Sequence, residues 1–179
     1  MALRIIPVSR RNGNYKKVCG TMTEAFPETE RMPMWILGLL AKRKFIKFSA
    51  VLDDEDFCGV LYTVENKEYV FILYLAVSKE ARSRGYGSQI LKLIKKTANE
   101  KEIVLHVEYP DATAANASQR LRRMRFYEAN GIVDTGYFFS EGNEKYAVLS
   151  NDGSDIDIES YKNLLRYVSF GLYTPKIGR

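Results

Sequence analysis

Apolar positions along the chain follow two different periods, and the change between them is sharpest in the stretch YVFILYLAVSKEARSRGYGSQILKLIKK. From Tyr69 to Val77 the apolar run is continuous and rich in Val, Ile, Leu and aromatics, as in a strand buried on both faces. Ile90, Leu91 and Ile94 then recur at the spacing of one helix face, and a short charged turn with Gly85 and Gly87 lies between. The pattern predicts a buried strand that delivers a glycine loop onto a helix N-terminus. The first turn of a helix has unpaired N–H groups and the positive end of the dipole, so a loop without side-chain bulk admits a phosphate to the backbone. Arg82 and Arg84 would add charge there, or stand solvated as an ordinary loop.

The same reading gives the other elements in order. Leu3 to Val8 is a short strand, and Tyr15 to Phe26 a helix ended by Pro27. The link PETERMP leads to a second helix that begins at Pro33 and runs to Leu39 or Leu40. Strands at Phe45 to Leu52 and Phe57 to Val64, joined by DDED, make an antiparallel meander with the central strand. Ile103 to Glu108 is expected to return parallel to that strand through a helical crossover, which opens a crevice at the carboxyl ends of the two. A helix follows from Ala117 to Asn130, with Leu121 and Met124 facing inward and Asn130-Gly131 as a left-handed stop. IVDTGYFF and KYAVLS pair across SEGNE. Ser154 would cap a last helix with the stripe Tyr161, Leu164, Leu165, Val168.

Composition narrows the chemistry. The 179 residues suit one domain. Cys19 and Cys58 are expected in the core, and with one histidine and no CxxC there is little material for a zinc site, a disulfide scaffold or a Ser-His-Asp triad. A net charge of +5 favours anionic partners, and a polyphosphate cofactor and nucleic acid both qualify. There is no zinc-finger pattern, aromatic-rich RNA-binding signature or long Lys/Arg tract, which makes nucleic acid the weaker choice. The longest apolar run, MWILGLLA, is too short to span a bilayer, and no secretory h-region opens the chain. The expectation is a cytoplasmic protein without a membrane partner.

Arg-x-x-Gly-x-Gly, in Arg82, Gly85 and Gly87 after the strand LYLAV, resembles the acetyl-CoA pyrophosphate loop of the GNAT family of N-acetyltransferases. RFYEANGI resembles that family's later helix-to-strand segment, with Ile132 in place of the usual Phe, and Ser83 stands where many members have another glycine. The resemblance implies a single-domain α/β GNAT fold, a mixed and mostly antiparallel sheet of six to seven strands flanked by helices, with a core over 1–150 and residues 151–179 as an extra helical appendage packed on it. It implies acetyl-CoA as cosubstrate, no metal, and transfer of the acetyl group to a primary amine of a small molecule or peptide by direct attack on the thioester. Pantetheine is assigned to main-chain groups of Leu75, Ala76 and Val77, and pyrophosphate to Arg82, Arg84, Gly85, Tyr86, Gly87 and Ser88. Asn116 resembles an asparagine that several members aim at pantetheine, or it caps a helix.

Tyr127 falls where many members keep a tyrosine as general acid; the alternative is a tyrosine packing a helix end. A phenol of pKa about 10 protonates a thiolate of about 8.5 uphill, so its help would come chiefly as a hydrogen bond. An amine of pKa about 10.4 must lose a proton before attack. Glu108, at the strand end flanking the crevice, is the first candidate base, with His106 on the same strand face or simply in the core. Glu28 and Glu30 could bind a cationic acceptor. Arg120, Arg122, Arg123 and Arg125 form a charged face, one of which could reach the ribose phosphate of CoA, and Trp35, Phe138 and Phe139 read as core or pocket wall. A monomer or homodimer is expected. Two rival functions remain, an acyl-CoA-binding module without catalysis and a basic nucleic-acid-binding protein.

Overall fold

The computed structural model describes residues 3–11, 13–28, 30–141, 144–153, 156–169 and 176–179. Its contacts divide the chain into two compact units, Met1–Val64 with Ile72–Thr97, and Glu65–Phe71 with Ala98–Arg179.

The first unit holds β1 (Leu3–Pro7), α1 (Tyr15–Ala25), α2 (Met34–Leu40), β2 (Ile46–Asp53), nearly all of β3 (Asp56–Glu65), most of β4 (Tyr69–Val77), a 3-10 turn at Lys79–Ala81 and α3 (Tyr86–Thr97). The strands follow one another in the order β1-β2-β3-β4. β1, β2 and β3 pair antiparallel, with Ile5 opposite Val51 and Ala50 opposite Val60. Val18 and Met22 of α1, Leu37 and Leu40 of α2 and Ile90, Leu91 and Ile94 of α3 are buried with the inner residues of these strands. The Tyr62 hydroxyl donates to the Leu37 carbonyl at 3.1 Å, which fixes α2 on β3. Pro33 precedes α2 as its cap rather than opening it.

β3 carries a bulge where Val51 faces Gly59 and Leu52 already faces Phe57, leaving Cys58 as the extra residue. Gly59 is there for room. A Cβ on it would lie 2.4 Å from the Ala76 carbonyl oxygen and 3.2 Å from the Val77 Cα.

The second unit holds the opening of β4, β5 (Glu102–Glu108), α4 (Ala117–Ala129), β6 (Val133–Glu141), β7 (Glu144–Ser150), α5 (Ile158–Val168) and β8 (Lys176–Gly178). Its strands run β5-β7-β6-β8, each neighbouring pair antiparallel. α4 stops at Gly131, whose φ is +65°: the Gly131 amide donates to Glu128 and the Ile132 amide to Tyr127, both near 3 Å. That is the Schellman arrangement expected of Asn-Gly. α5 buries Tyr161, Leu164, Leu165 and Val168, and the Tyr161 hydroxyl bonds to His106 Nε2.

The mixed α/β class and mostly antiparallel sheet agree with the sequence reading. β8 does not figure in it, and brings the described strands to eight; three residues are too few to show a period. Leu121 is 43% exposed rather than inward, because Asn116, Arg120 and Arg123 take the face of α4 that meets β5. Cys19 is only half-buried. Ser154 lies outside the described residues, and the α5 cap is Asp157, whose carboxylate accepts from the Glu159 and Ser160 amides. No described helix is long and apolar enough to cross a membrane.

Candidate active site

The glycine loop lies wholly in the first unit. β4 ends at Val77, the 3-10 turn follows, and the chain reaches α3 through Arg82, Ser83, Arg84 and Gly85. Gly85 has φ +77° and its carbonyl accepts the first helical bond, from Gln89, so Tyr86, Gly87 and Ser88 form the first turn with amides that no helical carbonyl can reach. Ser83 adopts φ +63°, a left-handed conformation that costs a non-glycine residue about 1–2 kcal/mol. The serine keeps the backbone path that a glycine would take there.

Arg82 Nε donates to the Val77 carbonyl at 3.3 Å, and its Nη2 meets Glu24 of α1 at 2.8 Å. Both side chains of that pair are nearly half exposed, at 48% and 43%. Arg84 is exposed and faces a cleft of about 520 Å³ that it shares with Lys17, Ser78 and Tyr86. Tyr86 directs its hydroxyl to Asp53 Oδ2 at 2.8 Å, and this bond to a carboxylate pushes the phenol up to about 12. Its side chain is thus engaged away from an anion, while its backbone amide keeps the helix-end position. Beside it the Cys58 thiol is raised by burial, which leaves it protonated and unreactive.

The link between α1 and α2 is tied to β4. The Tyr74 hydroxyl donates to the Glu30 carbonyl at 3.3 Å and accepts from the Met32 amide at 3.1 Å, one residue before Leu75. Glu28 and Glu30 are both exposed on this link.

The second unit carries the other candidates. Tyr127 sits in the last turn of α4, buried, and desolvation raises its phenol to about 12 despite the opposing charge of Arg123. Glu108 is 5% exposed at the end of β5. Arg123 Nη1 reaches its Oε2 at 2.8 Å; Arg120 Nη2 and Asn116 Nδ2 reach its Oε1 at 3.1 and 2.9 Å. Asn116 in turn accepts from Arg120 Nε at 2.7 Å, and its side chain makes no capping bond. Arg120 also contacts Glu144 of β7 at 3.3 Å.

Sequence reasoning placed Glu108 and Asn116 near a crevice but missed that two arginines close on them. The signal was available, because residues 116, 120 and 123 share one helix face. His106 stacks on Phe139 at 4.6 Å between centroids and lies edge-on to Phe71, and burial lowers its imidazole to about 3. It is a neutral packing residue. Trp35, expected in the core or a pocket wall, is 63% exposed.

A sequence model described as the acetyltransferase (GNAT) family matches residues 16–131, which include the glycine loop, Glu108 and Tyr127. The chain belongs to the GNAT acetyltransferase family. A Bacillus subtilis (strain 168) protein named "Putative acetyltransferase YjbC" is 36% identical over 115 residues, 62% of this chain and 57% of that protein, so the match spans little more than half of the relative's length. Among solved structures, a "Putative acetyltransferase from GNAT family" from Bacteroides thetaiotaomicron superposes with a TM-score of 0.74 at 19% identity, over 95% of this chain and 99% of the other. Arabidopsis thaliana Naa50, solved with the bisubstrate analogue CoA-Ac-MVNAL, gives a TM-score of 0.60 at 19% identity over 84% and 98%. These likenesses show the GNAT fold. No group of three or more His, Cys, Asp or Glu side chains suited to a metal occurs among the described residues.

Proposed function

We propose that this GNAT protein transfers the acetyl group of acetyl-CoA to a primary amine of a small molecule or peptide by direct attack on the thioester. The observation that carries the reading is the first turn of α3, where three amides follow a left-handed Gly85 with two arginines in the same loop. Arg82, Arg84, Gly85, Tyr86, Gly87 and Ser88 would hold the pyrophosphate, Tyr86 through its backbone only, and Leu75, Ala76 and Val77 the pantetheine. Acetyl-CoA supplies the activated acyl group. Arg82 is available because an exposed ion pair is worth at most about 1 kcal/mol and gives way to a multiply charged anion.

Tyr127 is a hydrogen-bond donor to the leaving sulfur in this reading, and the proton shed by the attacking amine leaves with the sulfur as the CoA thiol. With a phenol near 12 Tyr127 keeps its proton at any working pH and stabilises the departing sulfur by a hydrogen bond. Tyr127→Phe is expected to lower kcat about tenfold without abolishing turnover, the size of one such bond. Glu108 has its carboxylate taken by two guanidinium groups and an amide, which suits an anchor for Asn116 and α4 better than a base. Glu28 and Glu30 remain the residues for a cationic acceptor, since the Tyr74 bonds hold their link against β4.

The test is thiol release from acetyl-CoA across polyamines, aminoglycosides and peptide amines. Turnover on one class is expected. CoA binding with no turnover on any amine would support the acyl-CoA-binding module, and salt-sensitive RNA or DNA binding without CoA affinity the nucleic-acid reading.

A further inference from the structure

The surface of the first unit bears an apolar face that nothing in the catalytic reading uses. α2 has the sequence MWILGLL, and its outward side shows Trp35 at 63% and Leu39 at 48% exposure, with Phe45 at 46% just beyond the helix. A surface helix ordinarily turns polar residues to water. Beside it runs a groove of about 550 Å³ lined by Arg10, Tyr15, Trp35, Leu39, Lys42 and Phe48 among others, with no acidic residue in its lining.

The charge around this face has one sign. Between Ile5 and Thr23, and again between Pro33 and Leu52, the sequence has no Asp or Glu. Of the cations in those stretches, Arg10 and Lys42 line the groove and Lys44 lies beside Phe45, all three exposed. Two of the cations lie over aromatic rings, Arg10 over Tyr15 at 5.9 Å and Lys44 over Phe45 at 5.4 Å. The result is an exposed tryptophan and an exposed leucine flanked by the cations of Arg10, Lys42 and Lys44.

We propose that this face docks the protein on an anionic phospholipid surface, with Trp35 and Leu39 entering the headgroup boundary and the surrounding cations meeting lipid phosphates. Aromatic and aliphatic side chains at headgroup depth, flanked by Lys and Arg, are the composition of interface-lying segments. The face favours lipid over nucleic acid because its exposed positions include aliphatic Leu39, which gains nothing from a phosphate backbone. The sequence expectation of no membrane partner rested on the lack of a spanning segment, and peripheral docking needs none.

Trp35 is the sole tryptophan of the chain, so its emission reports on this face alone. The experiment titrates the full chain with phosphatidylcholine vesicles containing about 30% phosphatidylglycerol, and with pure phosphatidylcholine vesicles, at about 0.1 M salt, following Trp35 emission and co-sedimentation. A blue shift and sedimentation with the anionic vesicles only are expected. Each lysine near the surface contributes about fivefold, so Lys42→Gln with Lys44→Gln should weaken binding about twenty-fivefold. Leu39→Asn should reduce the blue shift. All three substituted residues are exposed, and far-UV circular dichroism checks that the fold is kept. Equal binding to neutral vesicles, no response to anionic ones, or indifference to the lysine changes would overturn the proposal. So would a Trp35 shift with short RNA or polyglutamate that vesicles do not produce.

Discussion

Two arginine–glutamate contacts, one in each unit, differ in kind. Arg82 and Glu24, in the first unit, meet at 2.8 Å with both side chains nearly half exposed. Glu108, in the second, is buried and holds Arg123 at the same 2.8 Å and Arg120 at 3.1 Å. Equal distances therefore carry unequal consequences. Water screens the exposed pair, which forms at little gain and parts at little cost. The buried carboxylate has exchanged its water for three donors, and removing it strands two guanidinium groups. In the proposed reading the first arrangement keeps a cation in reserve for an incoming anion, whereas the second commits its charges to the fold.

The largest effect should come from breaking the buried arrangement. Glu108→Ala is expected to cost about 3 kcal/mol, hence a fall in Tm of about 6–12 °C, against less than about 1 kcal/mol for Glu24→Ala. Thermal melts of the two variants side by side decide it, and equal losses would sink the distinction. Glu108→Gln then separates anchor from base. An acid limb of the pH–rate profile that survives the substitution marks an anchor, and one that vanishes marks a base.

His106 extends the comparison, because it lies on the same strand two residues before Glu108 and is also given over to structure. Its folded-state value of about 3 is below the ordinary 6.5, so the unfolded chain takes up the proton first on acidification. The stability this burial contributes is complete above pH 6.5 and is lost as the pH falls towards 3. Between pH 6.5 and 5 the loss approaches about 2 kcal/mol, at about 1.4 kcal/mol per unit. The chain has one histidine, so His106→Phe should flatten that part of a Tm-against-pH curve.

On the exposed side, Arg82→Ala should raise the KM for acetyl-CoA about tenfold, the worth of one charge-assisted bond to phosphate, and leave Tm within about 2 °C. A drop in Tm comparable to that of Glu108→Ala would mean that the reserve cation is structural after all. The smallest effect is a gain. Ser83→Gly relieves the φ of +63° at the expense of a more flexible unfolded chain, for a net stabilisation of about 1 kcal/mol or less and an unchanged KM.

The elements were legible in the sequence because their periods are long and their stops chemical. Gly131 and Gly85 both take the positive φ that the Asn-Gly and Gly-x-Gly signals require. Glu24 carried no such mark, since its partnership with Arg82 joins positions 58 residues apart through tertiary packing alone. Tyr86 was legible as a member of the loop, whereas the turn of its hydroxyl to Asp53 depends on where the end of β2 lies. Met124 is buried as its spacing predicts, but Leu121 is left outside because Asn116, Arg120 and Arg123 take the part of the helix that meets β5. Periodicity locates a face and assumes that the buried face is greasy.

Gly59 bears on how far this protein can be re-engineered. A methyl group at that position would collide with the Ala76 carbonyl, which belongs to the strand proposed to carry the pantetheine arm. A library aimed at new acyl or acceptor scope should therefore leave position 59 fixed, because even alanine there would displace main-chain atoms of that strand. Diversity belongs instead on the exposed α1–α2 link, where Glu28 and Glu30 can be exchanged without disturbing a buried neighbour's backbone.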